Sequence, residues 1–251
     1  MKLSRRQMLL GTSAAALAGC ASRATGTAAA TGAGALPDAT ATAAMIRSGE
    51  MTALEAVEAA IARAQRVQPQ INFMVEDTYE LARARAARPV TGPFAGVPYL
   101  IKDLNDVVGA RTRFGSHSTA GIEPATEEAA YTRATLDSGV ICIGKSATPE
   151  NGYLPTTEPL AFGPTRNPWN PGHSSGGSSG GAAAAVAAGV VPMAHANDGG
   201  GSIRFPAANC GLLGLKPSRG RLIDDNPGAR PLDIAVQGSV SRTVRDTAGM
   251  M

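Results

Sequence analysis

The sequence has few aromatic residues and few histidines for its length. Aromatic residues make up 4% of the 251 residues, with a single tryptophan, whereas alanine and glycine are abundant. This composition indicates a core in which small residues let backbone segments pack closely. The three histidines, His117, His173 and His195, lie at no spacing that indicates a catalytic triad.

Clusters of basic residues are also missing. The net charge is +3, and no run of lysine and arginine is interleaved with aromatic residues. The sequence therefore gives no indication of a nucleic-acid partner. Hydrophobic residues make up 43% of the chain, as in globular proteins. No internal repeat and no second domain are visible.

The N-terminal apolar stretch is too short to span a bilayer. It follows the twin-arginine pattern Arg5-Arg6 and ends in Leu17-Ala18-Gly19-Cys20, which is typical of a lipobox. We therefore predict that residues 1–20 are a signal for export to the periplasm or cell envelope, with Cys20 lipidated as the only membrane anchor. A plain signal peptide cut at a small residue is the alternative. Residues 21–37 are predicted to be a flexible tether.

Two further cysteines remain. Cys142 lies in an apolar run and Cys210 follows a turn that contains proline. Oxidation could pair them in an exported protein, but their spacing does not require it, and buried free thiols are the favoured interpretation.

Helical and strand patterns alternate along the chain. Helices are predicted over residues 52–67, where Thr52 and Glu55 form a capping box, and over 79–88, 126–138 and 180–189. Strands are predicted over 97–101 and 140–143, near 191–195, and over 212–215. This alternation predicts an α/β fold with a mixed central sheet flanked by helices.

Three segments carry the candidate chemistry. Ser178 and Ser179 lie in the run Gly176–Gly181, Ser202 follows three glycines, and Lys102 ends an apolar run. Glycine around a serine lets backbone approach a small ligand closely. Hydrolysis of an amide needs an activated nucleophile and donors for the oxyanion. A buried lysine can serve as the base, because loss of water lowers its pKa.

These segments, in this order, resemble the amidase signature family of carboxamide hydrolases. The resemblance implies that Ser202 is the nucleophile and that Ser178, on a cis peptide bond, relays its proton to Lys102. It implies no cofactor and no metal, and a small amide as substrate. It also implies that residues 38–251 are the N-terminal part of a longer domain, because such domains continue well beyond this point.

The resemblance assigns further residues around Ser202. The peptide nitrogens of Gly199, Gly200 and Gly201 are expected to form the oxyanion hole. Supporting positions are expected at Ser179, Asp198 and Arg204, the last two bracing the turn. The approach His195-Ala196-Asn197 departs from the family's usual small residues.

Parts of the sequence also fit other functions. Residues 139–146 fit a phosphate-binding loop, but their apolar interior favours a strand and Pro149 would break the following helix. Residues 176–180 fit a nucleophile elbow, which would make the protein a Ser-His-Asp esterase. An inactive or binding remnant of an amidase is a third possibility. A tRNA-dependent amidotransferase subunit is disfavoured by the export signal.

Overall fold

The computed structural model describes residues 36–223 and 234–251. The predicted signal of residues 1–20, Cys20 and nearly all of the tether lie outside the described residues, so these expectations stay predictions. The helices are α1 (Ala39–Ser48), α2 (Ala53–Ile71), α3 (Tyr79–Ala86), α4 (Ala130–Asp137), α5 (Gly180–Ala187), α6 (Arg204–Cys210) and α7 (Val244–Gly249). The strands are β1 (Met74–Asp77), β2 (Pro98–Lys102), β3 (Ile141–Ser146), β4 (Met193–Asp198), β5 (Leu213–Gly214) and β6 (Val236–Ser241).

The strands form two three-stranded sheets. In the first, β3 lies between β1, which is antiparallel to it, and β2, which is parallel. In the second, β6 pairs antiparallel with both β4 and β5. The predicted α/β fold with mixed pairing is confirmed, but the strands form two sheets where one mixed central sheet was expected. The strands that end nearest the candidate chemistry are β2 at Lys102 and β4 at Asp198.

Local sequence explains the best-predicted helix, α2. Its capping box is present: Thr52 Oγ1 accepts the Glu55 N–H at 3.1 Å, and Glu55 Oε2 accepts the Thr52 N–H at 2.7 Å. The spacing of Leu54, Val57 and Ile61 predicts that they share one apolar face of this helix. Val57 and Ile61 are buried, whereas Leu54 is 40% exposed. The predicted helix at 126–138 begins later, at Ala130.

The core is built mainly from small and β-branched residues. All five residues of β2 and all six of β3 are buried. The alanine-rich helix α5 is buried at every residue from Gly180 to Val186, because alanine and glycine let it pack between neighbouring segments. Cys142 and Cys210 are buried free thiols, as favoured from the sequence. Among the described residues, no helix has the length and apolar character of a membrane span.

Candidate active site

Lys102 lies at the end of β2 and its side chain is fully buried. Its amine is 2.6 Å from Ser178 Oγ, 3.0 Å from Ser179 Oγ and 2.7 Å from Asn197 Oδ1. Burial lowers the pKa of Lys102 to about 7, although the negative charge of Asp198 opposes this shift. A large fraction of the amine is therefore neutral near pH 7 and can accept a proton.

The turn that carries Ser178 is held against a neighbouring loop. The Gly177–Ser178 peptide bond is cis, as the resemblance implied. A Cβ on Gly177 would come within 2.7 Å of backbone atoms of Thr156, so glycine is required by close approach. Thr157 Oγ1 donates to the Gly176 carbonyl at 2.9 Å and accepts the Gly180 N–H at 3.1 Å. Sequence reasoning did not single out Thr157.

The turn that carries Ser202 lies between β4 and α6, beside the first serine turn. The Ser179 N–H donates to the Ser202 carbonyl at 3.2 Å, which joins the two turns. Ser202 is partly exposed. Within residues 36–223 and 234–251, its hydroxyl has no protein hydrogen-bond partner. The side chain is thus accessible from solvent, as a nucleophile needs to be.

Asp198 organises the backbone of this second turn. Its carboxylate accepts the N–H groups of Gly201 at 2.7 Å and Ile203 at 3.2 Å. Arg204 binds the same carboxylate through two nitrogens, at 2.9 and 3.0 Å. Burial alone would raise the pKa of Asp198, but the Arg204 bond and the backbone donors together lower it. Asp198 and Arg204 therefore hold the backbone of the turn through these hydrogen bonds.

The expected oxyanion hole needs one correction. The Gly201 N–H is donated to Asp198 at 2.7 Å, so the expectation that it is a free donor is wrong. Glycine is needed at position 201 for the backbone conformation: its φ is +124°, and a Cβ there would clash with the Phe205 ring. Gly199 and Gly200 are exposed, and in the described part of the chain their N–H groups have no acceptor.

His195 supports Lys102 and is not a base for either serine. Its Nδ1 accepts the Lys102 backbone N–H at 3.1 Å, so Nε2 carries the proton and donates to Gln237 Oε1 at 2.9 Å. Burial lowers the pKa of His195 to about 3, which keeps the ring neutral. His117 and His173 are exposed. This arrangement removes support for the Ser-His-Asp esterase, because no described histidine contacts Ser178.

The position of Lys145 argues against the phosphate-binding loop. It lies within β3, so residues 141–146 are a strand as the apolar pattern favoured. Its buried amine is 3.4 Å from a carboxylate oxygen of Asp103 and 2.7 Å from Thr112 Oγ1. The lysine thus has partners within the protein. No group of three potential metal ligands occurs among the described residues.

Residues 55–251 match the Amidase family. The chain therefore belongs to this family. It is 48% identical over 200 residues to the putative amidase AmiC of Mycobacterium tuberculosis, covering 77% of this chain and 41% of that protein. It is 45% identical over 207 residues to the 6-aminohexanoate-cyclic-dimer hydrolase of Paenarthrobacter ureafaciens, covering 78% and 41%.

Solved structures give the same result. A structure of 6-aminohexanoate cyclic dimer hydrolase matches with a TM-score of 0.80 at 44% identity, covering 85% of this chain and 45% of that chain. A bacterial aryl acylamidase of the amidase signature family matches with a TM-score of 0.80 at 35% identity, covering 85% and 46%. The chain spans about two fifths of the length of the curated relatives it matches.

Proposed function

We propose that this chain carries the Ser-Ser-Lys catalytic machinery of a hydrolase that cleaves carboxamide C–N bonds. The observation that carries the proposal is the buried Lys102 amine, 2.6 Å from Ser178 Oγ, with a pKa lowered to about 7. An amine in this state is a base near neutral pH, whereas a solvent-exposed lysine is not.

The proposed reaction begins with proton transfer. Neutral Lys102 accepts the Ser178 hydroxyl proton as Ser178 accepts that of Ser202. The Ser202 oxygen then bonds to the amide carbonyl carbon, and the carbonyl oxygen becomes an oxyanion. The N–H groups of Gly199 and Gly200, with that of Ser202, are proposed to stabilise it. Support for their role comes from Asp198, which takes the neighbouring N–H of Gly201 and leaves these donors free.

Collapse of the tetrahedral intermediate breaks the C–N bond. The leaving nitrogen receives the proton held by Lys102, delivered through Ser178, and the acyl group stays on Ser202 as an ester. Water then loses a proton to Lys102 through Ser178 and attacks this ester, which releases the acid and restores Ser202. Every proton taken by Lys102 is returned, so the cycle needs no cofactor.

Small non-peptide amides are the proposed substrate class. The similarity to a cyclic-dimer hydrolase and to an acylamidase of Rhodococcus erythropolis supports this class. The proposal concerns the protein to which these residues contribute, because the chain corresponds to less than half of either relative.

We also propose that the protein is exported and anchored through a lipid on Cys20. Support comes only from the sequence, through Arg5-Arg6 and the run that ends at Cys20. Mass spectrometry of the mature N-terminus should find a lipidated Cys20. An unmodified N-terminus beyond Cys20, or retention of Met1, would contradict the anchor.

The hydrolytic proposal is tested with a panel of aryl acylamides and the 6-aminohexanoate cyclic dimer. We expect hydrolysis that is abolished by Ser202→Ala and reduced on the order of 10²-fold or more by Ser178→Ala. Ser118→Ala, on an exposed 3-10 helix, is the matched control and should retain activity. Absence of hydrolysis by the wild-type form of the protein to which these residues contribute would favour an inactive or binding remnant.

A further inference from the structure

Among the described residues, Asn197 is the one amide side chain that contacts the Lys102 amine. It lies in β4 directly before Asp198, 95 residues from Lys102 in sequence, and its Oδ1 is 2.7 Å from Lys102 Nζ. It belongs to the approach segment that departs from the family's usual small residues. The reaction described above gives it no role.

Counting hydrogens around the amine defines what Asn197 does. A neutral amine has two N–H donors and one lone pair, and three oxygens surround Lys102 Nζ. The Asn197 amide oxygen can only accept, so one N–H must point to it. The Ser179 hydroxyl directs its own hydrogen to the Asn197 main-chain carbonyl at 3.4 Å. Ser179 Oγ therefore accepts the second N–H, and the lone pair is left for Ser178.

We propose that Asn197 is a positioning residue that turns the lone pair of the Lys102 amine toward the Ser178 hydroxyl. Asn197 acts at both of its ends: the side-chain oxygen binds one N–H, and the main-chain oxygen fixes Ser179 as acceptor of the other. Without the side-chain acceptor, the amine can rotate and offer an N–H to Ser178, which is the wrong polarity for accepting its proton. The catalytic meaning of this orientation rests on the proposed function.

The charged groups near Lys102 determine how Asn197 variants should behave. Asp198 is already bound by Arg204, His195 is neutral, and Lys145 is paired with Asp103. A carboxylate placed at position 197 would therefore have Lys102 as its nearest unpaired cation. This carboxylate should stabilise the ammonium form of Lys102, whereas an apolar side chain of similar size at position 197 should favour the neutral amine.

The test titrates Lys102 directly, without reference to catalysis. The lysines of the chain are Lys2, Lys102, Lys145 and Lys216, so ¹³Cε signals of labelled lysine can be assigned with the Lys102→Arg variant. We expect Asn197→Asp to raise the titration midpoint of Lys102 by at least about one pH unit. Asn197→Leu should lower it. Asn170→Asp, which adds the same charge on an exposed loop, should leave it unchanged.

The pH dependence of hydrolysis gives the second measurement. Asn197→Asp should lose activity at pH 7 and regain it at higher pH, because its Lys102 loses the proton later. Asn197→Leu should show a kcat at least about tenfold lower at every pH with little change in KM. If Asn197 had a purely structural role, the acid limbs of the pH–rate profiles of these two variants would not shift in opposite directions.

Two results would overturn the inference: unchanged Lys102 midpoints in both variants, or shifts of both in the same direction. Opposite shifts in a protein that hydrolyses no amide would support Asn197 as the group that orients the amine. That outcome would contradict the proposed function but not the positioning role of Asn197. A failure of one proposal can therefore be distinguished from a failure of the other.

Discussion

Replacing Lys102 by methionine should change how stability depends on pH. Lys102 is fully buried and its pKa is lowered to about 7, from an ordinary value of 10.5. Between these values the unfolded chain holds a proton on this lysine that the folded chain does not. The free energy of unfolding therefore rises with pH across this window, by up to about 1.36 kcal/mol per pH unit.

The two pKa values give the size of the effect. Integrating the difference in proton binding from pH 7.5 to 9.5 gives wild type a gain in the free energy of unfolding of roughly 2–3 kcal/mol relative to Lys102→Met. From pH 6 to 7.5 the gain is under about 1 kcal/mol, because the folded lysine is itself partly protonated at these pH values. Other titrating groups, such as His195 and the buried cysteines, are present in both proteins and cancel in the difference.

Urea denaturation of both proteins at pH 6, 7.5 and 9.5 measures this difference. Lys216→Met is the control, because it removes a lysine that is partly exposed to solvent and not a buried one. Parallel stability curves for wild type and Lys102→Met would refute the argument, since they would mean that Lys102 keeps an ordinary pKa in the folded protein.

Three further predictions concern the supports of the site. Asp198→Asn should lower the free energy of unfolding by about 3 kcal/mol, because it leaves buried N–H donors and an arginine without their carboxylate; urea denaturation measures it, and an unchanged midpoint would contradict it. Gly177→Ala should cost about 1–3 kcal/mol by overpacking, whereas Gly121→Ala, with open space around it, should be neutral in the same assay; equal effects would refute the close-approach argument. Iodoacetamide followed by peptide mapping should modify Cys142 and Cys210 only after unfolding, since burial raises the pKa of both thiols; rapid modification of the native protein would show them to be accessible.

Local signals predicted the fold where they were strong. The capping box at Thr52 and the apolar run before Lys102 each depend on neighbouring residues, and both predicted elements are present. The helix α6 was missed, because Pro206 lies inside it and no side chain caps its start. Strand β6 was missed because glycine and serine interrupt its apolar pattern. Strand β1 is short and only partly buried, which leaves no alternation to detect.

The site was predictable to the extent that its residues lie in distinctive motifs. The structure brings Lys102 beside Ser178 and Ser179, and it joins the Ser178 and Ser202 turns. Asn197 was missed as a partner of Lys102, since that contact joins residues 95 positions apart. The commitment of the Gly201 N–H to Asp198 depends on the detailed path of a turn, which a run of glycines does not specify.

Mapping the adduct of a fluorophosphonate probe tests the central claim most directly. The account predicts a single adduct on Ser202, which is lost in Ser202→Ala and forms more slowly in Ser178→Ala and Lys102→Met without moving to another residue. An adduct on Ser178 would contradict the account, because Ser178 would then be the nucleophile and not the proton relay.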